Sequence, residues 1–473
     1  MNVSGSATTG AKTEPAVHPV DEVLRVDRLG VLGLQHVLIM YAGTVAVPLI
    51  IGAALKLPRD QIALLVSADL FTCGICSVIQ AFGIANIMGV KLPVVAGATF
   101  TAVTPMILIG SQYGLRTMYG AVIVSGVFGL LVAKPFSSIL RFFPPLVTGT
   151  VIAVIGLSLV GAGAGLIAGN DPTAKDYGAP VNIALAGLVI LIILAISRFV
   201  RGFWNQVAVL GGLVLGTIVA AILGKVDFSS VGHVGWFGLT TPFRFGSPQF
   251  NLTAVISMCI VILVTYTEST ADMLAVAEIV GKKLSPNDLA RGLATDGFSA
   301  VLGGVFNSFP DTAYAENVGL VSLTGVRSRF VVVAAGVILV ALGLFPKLGE
   351  IIASLPGPVV GGAALVMFAM VTAVGIRTLA KVNYEGNHNL LIVAVALGVG
   401  LLPTVAPSIY SKFPNFLQII FGSSITSTVI VVFALNLFFN HMLGGTHADE
   451  AVEVALEEGA VAPNTPSGPE LPH

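Results

Sequence analysis

The sequence has few charged residues and few cysteines. Only 10% of its 473 residues are Asp, Glu, Lys or Arg, and three are cysteine. Three cysteines do not indicate a disulfide framework. The chain also shows no glycine-rich phosphate loop, which gives an ATP-driven pump no support. Because no nucleophile–base pair and no set of metal ligands is visible, we expect no enzyme activity, no bound metal and no cofactor.

Apolar residues are abundant instead. Hydrophobic residues make up 55% of the chain, and the mean hydropathy is +0.94. These values are typical of an integral membrane protein. The apolar runs are long and continuous, without the short alternation of a membrane β-barrel, so they predict α-helical spans in a lipid bilayer.

Fourteen membrane spans are predicted. One helical span needs about 20 residues to cross a bilayer core of about 30 Å. The polar N-terminal segment shows no cleavable signal peptide, so we expect the first span to direct insertion. The predicted spans cover residues 31–53, 62–83, 92–111, 118–134, 144–166, 180–198, 205–224, 252–280, 288–305, 311–325, 329–345, 356–376, 387–404 and 417–441.

The distribution of Lys and Arg indicates the orientation of these spans. With the N-terminus placed in the cytoplasm, fifteen basic residues fall on the cytoplasmic side and eight on the other side. This asymmetry predicts that both termini are cytoplasmic, in agreement with an even number of spans. The polar segment after Gly444 is expected to be disordered.

An internal repeat is visible at an offset of 212 residues. The stretch K-P-F-S-S-I-L-R-F-F-P-P-L-V-T-G-T (134–150) resembles F-P-K-L-G-E-I-I-A-S-L-P-G-P-V-V-G-G (345–362). Aligned positions carry the same residue at Pro144 and Pro356, Val147 and Val359, and Gly149 and Gly361. Because each copy would contain seven spans, an odd number, the two copies are expected to lie inverted in the membrane.

The third and tenth spans are interrupted at corresponding places in the two copies. Residues 91–106 and 307–325 each contain Pro and small or β-favouring residues before a short helical stretch. Each segment is predicted to be an extended piece that leads into a half-helix, with Thr99 and Glu316 near the two helix starts. Such starts present unpaired N–H groups and a partial positive charge. Interrupted helices at matching places predict a transport site near the membrane midplane.

Several acidic residues lie within predicted spans. Glu268 and Asp272 are four residues apart and therefore share a face of the eighth span, and Asp296 lies in the ninth. Acids in spans usually face the bundle interior and mark substrate or ion routes. A carboxyl group in a low-dielectric setting also takes up a proton more readily than in water. The alternative is that an acidic side chain only connects neighbouring helices by hydrogen bonds. This alternative is strongest for Asp272 and Asp69.

Two smaller features have open interpretations. His36 in the first span either donates a hydrogen bond that fixes a neighbouring polar group or packs between helices. Cys73 and Cys76 form C-G-I-C within the second span. They are predicted to be packing residues, because a redox or zinc site would need a polar setting and further ligands.

The stretch E-N-V-G-L-V-S-L-T-G (316–325) resembles the signature of the nucleobase-ascorbate transporter family, also called nucleobase:cation symporter family 2. Further matching motifs are Q-H-V-L-I-M-Y-A-G near the first span, E-S-T-A-D in the eighth, A-T-D-G in the ninth and F-N-S-F-P before the signature. The resemblance extends over about residues 28–440. Its bacterial members imply a bacterial inner (plasma) membrane as the location.

The resemblance implies two inverted repeats of seven spans, arranged as a core domain and a gate domain that slide against each other. It also implies a homodimer that contacts through the gate domains. The implied segments are a cytoplasmic tail (1–28), core (29–134), gate (135–245), core (246–345), gate (346–443) and a cytoplasmic tail (444–473).

The resemblance also assigns roles to residues at matching positions. Glu268 is expected to hold the substrate, with Glu316 and Asn317 as the signature pair beside it. Thr99 matches a position that is tied to substrate choice.

Other matching residues are expected to support the site. Asp296, His36 and Asp272 would support binding or proton coupling. Gly319 and Thr324 complete the signature motif.

The chemistry of an oxopurine or pyrimidinedione agrees with this assignment. Its edge presents alternating N–H donors and carbonyl acceptors, which a carboxylate and the backbone N–H groups of half-helix starts can meet. Glu268 is the principal expected ligand. Phe100 and Tyr314 would offer apolar or stacking faces to the ring, with core packing as the alternative for both.

The expected substrate is urate or xanthine. E-S-T-A-D and G-A-T-F (97–100) resemble the xanthine and urate branch, whose bacterial urate transporters place Thr at position 99. Uracil is the alternative, because Glu at position 316 is more usual in uracil members. Ascorbate carriers have Pro at this position, and Pro is absent here.

The expected mechanism is symport with a proton held by a core acid, Glu268 or Asp296. The expected partners are a nucleobase, a proton, the bilayer and a second copy of the chain, with no nucleic acid. The second alternative is a small-anion transporter of the related sulfate-permease fold. In such proteins the half-helix starts normally lack a carboxylate, since Glu316 would repel the anion.

Overall fold

The computed structural model describes residues 18–139, 143–170 and 172–442, without the side chains of residues 137–139. The predicted disordered tail (444–473) and most of the predicted N-terminal tail (1–28) lie outside this part of the chain. The described residues form seventeen α-helices and two short strands, together with a few single turns. This composition confirms the prediction of a helical membrane protein with short extended pieces.

Most helices are joined by short connections. In chain order they are α1 (Val26–Ala54), α2 (Arg59–Phe82), α3 (Val103–Tyr113), α4 (Leu115–Ile139), α5 (Pro145–Ala168), α6 (Pro180–Phe199), α7 (Phe203–Gln206), α8 (Ala208–Ile222), α9 (Leu252–Val280), α10 (Pro286–Phe306), α11 (Ala315–Thr324), α12 (Phe330–Gly343), α13 (Pro346–Ala353), α14 (Gly357–Leu379), α15 (Asn389–Val405), α16 (Asn415–Gly422) and α17 (Ser424–Asn436). The strands are β1 (Ala96–Ala98) and β2 (Asp311–Ala313).

Eight of the described helices are long and apolar enough to cross a bilayer unaided. The pair α12 and α13 would add a ninth, although the two helices are bent by 79°. Helices α8 and α15 are apolar but short, with 15 and 17 residues. Each of the fourteen predicted spans coincides with a helix or with two or three consecutive short elements. Their number as membrane crossings stays a prediction.

The two interrupted spans meet at a strand pair. β1 and β2 pair antiparallel, with Ala96 opposite Ala313 and Ala98 opposite Asp311. Both strands are buried, so this pairing satisfies backbone groups that no water could reach. A Cβ atom at Gly97 would lie 2.4 Å from the ring of Tyr314, so the crossing requires glycine there. Each strand leads into a short helix, α3 or α11, as predicted.

The inverted repeat is visible in the contact between α5 and α14. A Cβ atom at Gly149 would lie 3.1 Å from the carbonyl oxygen of Gly375 near the end of α14. Likewise, a Cβ atom at Gly361 would lie 2.9 Å from the carbonyl oxygen of Gly163 near the end of α5. The offset of 212 residues relates one contact to the other. The two helices are therefore antiparallel partners, each start packing on the other's end.

Close glycine contacts also join the helices around the strand pair. A Cβ atom at Gly74 of α2 would lie 2.6 Å from the carbonyl oxygen of Gly336 of α12. In the equivalent contact, a Cβ atom at Gly126 of α4 would lie 2.8 Å from the carbonyl oxygen of Gly297 of α10. Small residues allow this approach of helix backbones in a membrane protein. The packing holds β1, β2 and the two half-helices α3 and α11 at a fixed place.

Candidate substrate and ion site

Glu268 lies in the middle of α9 and faces the start of the first half-helix. Thr101 Oγ1 donates to Glu268 Oε1 at 2.7 Å, and Thr99 Oγ1 donates to Oε2 at 3.4 Å. The structure thus brings together Glu268 and Thr99, two residues that the sequence assigned to the substrate site. The Glu268 side chain is only half-buried. It therefore keeps an accessible surface although two hydroxyl groups orient its carboxylate.

The local backbone explains why two hydroxyl groups face Glu268. Thr99 caps a single 3₁₀ turn (Phe100–Ala102), and its Oγ1 accepts a hydrogen bond from the Thr101 N–H at 3.2 Å. The Thr99 N–H donates to the carbonyl oxygen of Pro310 at 2.9 Å, which ties this turn to the start of β2. Sequence reasoning missed Thr101. Its spacing of two residues from Thr99 in T-F-T was the available signal.

Glu316 and Asn317 lie in the first turn of α11, at the second half-helix start. The Asn317 Nδ2 group contacts His36 Nδ1 at 3.0 Å and the His36 carbonyl oxygen at 3.1 Å. Because Asn317 supplies donors to both atoms, His36 Nδ1 acts as an acceptor, which requires a neutral imidazole with its proton on Nε2. His36 therefore fixes the signature asparagine, but it does so by accepting hydrogen bonds, whereas the sequence interpretation had His36 as the donor.

Of the two remaining predicted acids, Asp272 joins the group around the half-helix starts and Asp296 does not. Asp272 lies one turn after Glu268 on α9, within electrostatic range of both Glu268 and Glu316. Asp296 on α10 is buried, and both of its carboxyl oxygens lack a hydrogen-bond partner among the described residues. The structure thus relates Glu268, Asp272 and Glu316 to one region. It places Asp296 beside Asp311 and Tyr266 instead.

The two predicted aromatic residues have different surroundings. The ring of Phe100 is half-buried and packs edge-to-face on Phe368 of α14, with ring centroids 5.6 Å apart. Tyr314 is buried, with one edge of its ring against Gly43 and the other against Gly97. These contacts favour the core-packing alternative for Tyr314, whereas Phe100 lies beside Thr99 and Thr101. Phe368 was not singled out in the sequence.

The signature residues Thr324 and Gly319 have different places on α11. Thr324 Oγ1 accepts from the Val326 N–H at 3.3 Å, and Gly325 has a φ of 65°, so both residues end α11. Gly319 is exposed on α11, and a Cβ atom there would meet only the side chain of Gln206, at 3.8 Å. The signature glycine therefore faces open space beside α7.

An unpredicted feature is the environment of Cys73. The C-G-I-C stretch predicted that Cys73 is a packing residue. Its thiol instead lies 3.2 Å from Asp311 Oδ1 and 3.7 Å from Asp69 Oδ1. The packing interpretation was therefore incomplete, because Asp311 is 238 residues away in the chain.

Cavities of about 280 and 220 Å³ lie in other parts of the described chain, and neither is lined by Glu268 or Glu316.

Comparison with solved structures shows the fold. The chain aligns with the transmembrane domain of the cyanobacterial bicarbonate transporter BicA, with a TM-score of 0.58 at 15% identity, covering 88% of this chain and 98% of that domain. It also aligns with the murine anion transporter Slc26a9 in the inward-facing state, with a TM-score of 0.58 at 13% identity over 87% of this chain and 68% of that protein. The architecture is thus the seven-plus-seven inverted repeat of these membrane domains.

Sequence comparison identifies closer relatives. The uric acid transporter UacT of Escherichia coli is 45% identical, over 93% of this chain and 91% of that protein. A xanthine permease of Bacillus subtilis is 41% identical, over 91% of this chain and 98% of that protein. The uric acid permease PucJ of the same species is 42% identical, over 86% of this chain and 92% of that protein. The model of a permease family (Xan_ur_permease) matches residues 28–409. The chain is therefore a permease, not an enzyme, and it belongs to the nucleobase-ascorbate transporter family.

Proposed function

We propose that this protein carries a purine nucleobase, urate or xanthine, across a bacterial inner membrane in symport with a proton. The observation that carries the proposal is the position of Glu268, held by Thr99 and Thr101 at a half-helix start. The relatives named above, which are described as uric acid and xanthine permeases, support a purine as the substrate.

The geometry suits the edge of a planar oxopurine. A Glu268 carboxylate accepts two ring N–H groups, while the first-turn N–H groups of α11 meet the ring carbonyls. Asn317 is held so that its Oδ1 is buried without a partner among the described residues, which leaves an acceptor near the site. Phe100 offers the apolar face. We assign the purine to the space between Glu268 and the start of α11.

The proposal includes the division into core and gate domains. Phe100 follows β1, and its partner Phe368 lies in α14, so this aromatic contact joins the first predicted core segment to the second predicted gate segment. A ring that binds beside Phe100 would touch both domains. Sliding of one domain along the other would then carry the bound base across. A homodimer with both termini in the cytoplasm belongs to the same proposal.

A uracil transporter remains the alternative within the family. Glu316 favours it by the sequence comparison above, and the half-buried position of Glu316 at the start of α11 is compatible with either ring. A small-anion transporter is the second alternative, since BicA and Slc26a9 share the fold. A small inorganic anion has no row of ring N–H groups to donate to the Glu268 carboxylate, which argues against this alternative.

Uptake and binding by purified protein in liposomes test the proposal. We expect saturable uptake of labelled urate or xanthine that collapses when a protonophore removes the proton gradient. Glu268→Gln should weaken purine binding by about 30- to 150-fold, as loss of a charged hydrogen-bond acceptor costs about 2–3 kcal/mol. Asp227→Asn is the matched control, since Asp227 is exposed in the connection between α8 and α9, where it pairs with Arg59 at 3.8 Å and accepts a hydrogen bond from the Ser229 N–H at 2.9 Å.

Each result has a separate meaning. Unchanged purine binding by Glu268→Gln would remove this residue from the site. Purine uptake that is unchanged by the protonophore would contradict proton coupling but not purine transport. Stabilisation of the fold by uracil, and not by urate or xanthine, in a thermal melt would favour the pyrimidine alternative.

A further inference from the structure

A second acidic cluster lies beside the crossing of β1 and β2, apart from the contacts of Glu268. Asp69 and Cys73 lie one turn apart on α2, and Asp311 begins β2. All three side chains are fully buried. A carboxyl oxygen of each aspartate and the Cys73 sulfur lie within 4.8 Å of one another. The two carboxyl groups therefore meet at one thiol.

Each carboxyl group in this cluster has one satisfied and one unsatisfied oxygen. Ser308 Oγ donates to Asp69 Oδ1 at 2.9 Å, and the Cys73 thiol donates to Asp311 Oδ1 at 3.2 Å. The Oδ2 atoms of Asp69 and Asp311 are buried and have no partner in the described part of the chain. A buried carboxylate oxygen without a donor or counter-charge is costly. The two Oδ2 atoms therefore indicate a positively charged ligand.

Among the described residues, no basic side chain is found to act on the carboxyl group of Asp69 or Asp311. The titratable groups that face the pair are neutral when protonated and negatively charged when ionised, so none of them can supply a positive charge. They are Cys73 and Cys76 on α2, Tyr119 on α4, Asp296 on α10 and Tyr314 before α11. Two ionised carboxylates at this separation repel each other, so the pair needs one cation to be neutralised in part.

The backbone connects this pair to the proposed substrate site. Asp311 pairs with Ala98 across the two strands. The neighbouring Thr99 N–H donates to the Pro310 carbonyl oxygen at 2.9 Å, and the Thr99 hydroxyl contacts Glu268. A change in the distance between α2 and Asp311 would therefore move the turn that orients Glu268.

We propose that Asp69 and Asp311 together hold one shared proton, at a site distinct from Glu268 and Asp296. The inference rests on the proposed transport function and names the place where the coupled proton binds. A proton between the two carboxyls removes their repulsion and keeps β2 against α2. In that state Pro310 holds Thr99 in contact with Glu268. Release of the proton separates the carboxyls and loosens this contact.

Infrared difference spectroscopy of the purified protein in lipid tests the site directly. We expect a protonated-carboxyl C=O band at neutral pH that shifts in D₂O and moves to a different frequency in Asp311→Asn and Asp69→Asn, because each variant leaves one buried carboxyl group without its partner. Protein with ¹³C-labelled aspartate assigns the band in the unsubstituted chain, so the result does not depend on the folding of a variant. Cys73→Ala should shift the band because it removes a donor, whereas Cys259→Ala, on α9 and half-buried, is the control.

Transport measurements form the second arm. Asp311→Asn should retain urate or xanthine exchange between the two sides of the liposome membrane, within about twofold. Its accumulation driven by a proton gradient should fall by about tenfold or more, equal to at least about 1.4 kcal/mol of lost coupling.

The outcomes separate the two proposals. Absence of an aspartic acid band in the unsubstituted protein would overturn the shared proton. Loss of the band on addition of Na⁺ would overturn it in favour of a metal cation, and undiminished accumulation by Asp311→Asn would overturn its coupling role. Failure of the unsubstituted protein to bind or move any purine would contradict the proposed function, while the infrared result would still report on the acid pair.

Discussion

The two strand–helix units at the centre of the molecule share a backbone arrangement and differ in their side chains. β1 leads through a 3₁₀ turn into α3, and β2 leads directly into α11. The first start carries the hydroxyl groups of Thr99 and Thr101, which contact Glu268. The second carries Glu316 and Asn317, of which Asn317 is tied to His36. The two repeats thus place their half-helix starts at symmetric positions. Because the residues at these positions differ, one start presents hydroxyl groups and the other a carboxyl group and an amide.

The largest effect is expected from disruption of the strand crossing that both units share. Gly97→Val would place a side chain 2.4 Å from the Tyr314 ring, and such overpacking costs about 1–3 kcal/mol or more. We expect a lower melting temperature and complete loss of transport. Gly30→Val is the control, since no atom lies within 4 Å of a Cβ atom there. A Gly97→Val protein with normal melting would contradict the tight crossing.

The next effect concerns the second unit. Asn317→Ala leaves two buried acceptors of His36 without donors, at a cost of about 1–3 kcal/mol. We expect reduced stability and strongly reduced purine binding. A double-mutant cycle with His36→Ala should show an interaction energy of about 0.5–3 kcal/mol. Additive effects of the two substitutions would show that the contact has no energetic role.

The first unit should respond unequally at its two hydroxyl groups. Thr101→Val removes the shorter hydrogen bond to Glu268 and should weaken purine binding by about tenfold, equal to about 1.4 kcal/mol. Thr99→Val removes the longer one and should weaken binding by only about twofold, with a change in preference between urate and xanthine. Calorimetric affinities would measure both. The reverse order of effects would contradict the geometry of this site.

The smallest effect is expected at the end of the second unit. Thr324→Val removes a hydrogen bond to the Val326 N–H and should cost about 0.5–1 kcal/mol of stability, with purine binding unchanged. Thr217→Val on α8 is the matched control, because the Thr217 hydroxyl donates only to a carbonyl oxygen one turn earlier. A change in purine affinity by Thr324→Val would assign this residue a role beyond ending α11.

The sequence predicted features that depend on local pattern. The interrupted spans followed from Pro and small residues near Thr99 and Glu316, and the inverted repeat followed from the match of Gly149 with Gly361. The eighth span, predicted at 252–280, coincides with α9. The first helix begins at Val26 rather than at residue 31, because its polar first turn carries no apolar signal.

Other features depend on contacts that the sequence does not encode locally. Thr101 and Glu268 are 167 residues apart, and Cys73 and Asp311 are 238 apart. Only the folded crossing of β1 and β2 brings each pair together. Similarly, the short helix α13, which follows a 79° bend at the end of the predicted span 329–345, was not predicted, because P-K-L-G-E at its start carries no long apolar run.

The matched glycine contacts of α5 and α14 have a mechanical consequence. The backbones of α5 and α14 approach closely at both ends of this helix pair, so separating the helices at either end would break a close contact there. Helices α5 and α14 must therefore move together as one rigid body. Displacement during a transport cycle then has to occur along another surface, and the edge of Phe100 against Phe368 lies on such a surface.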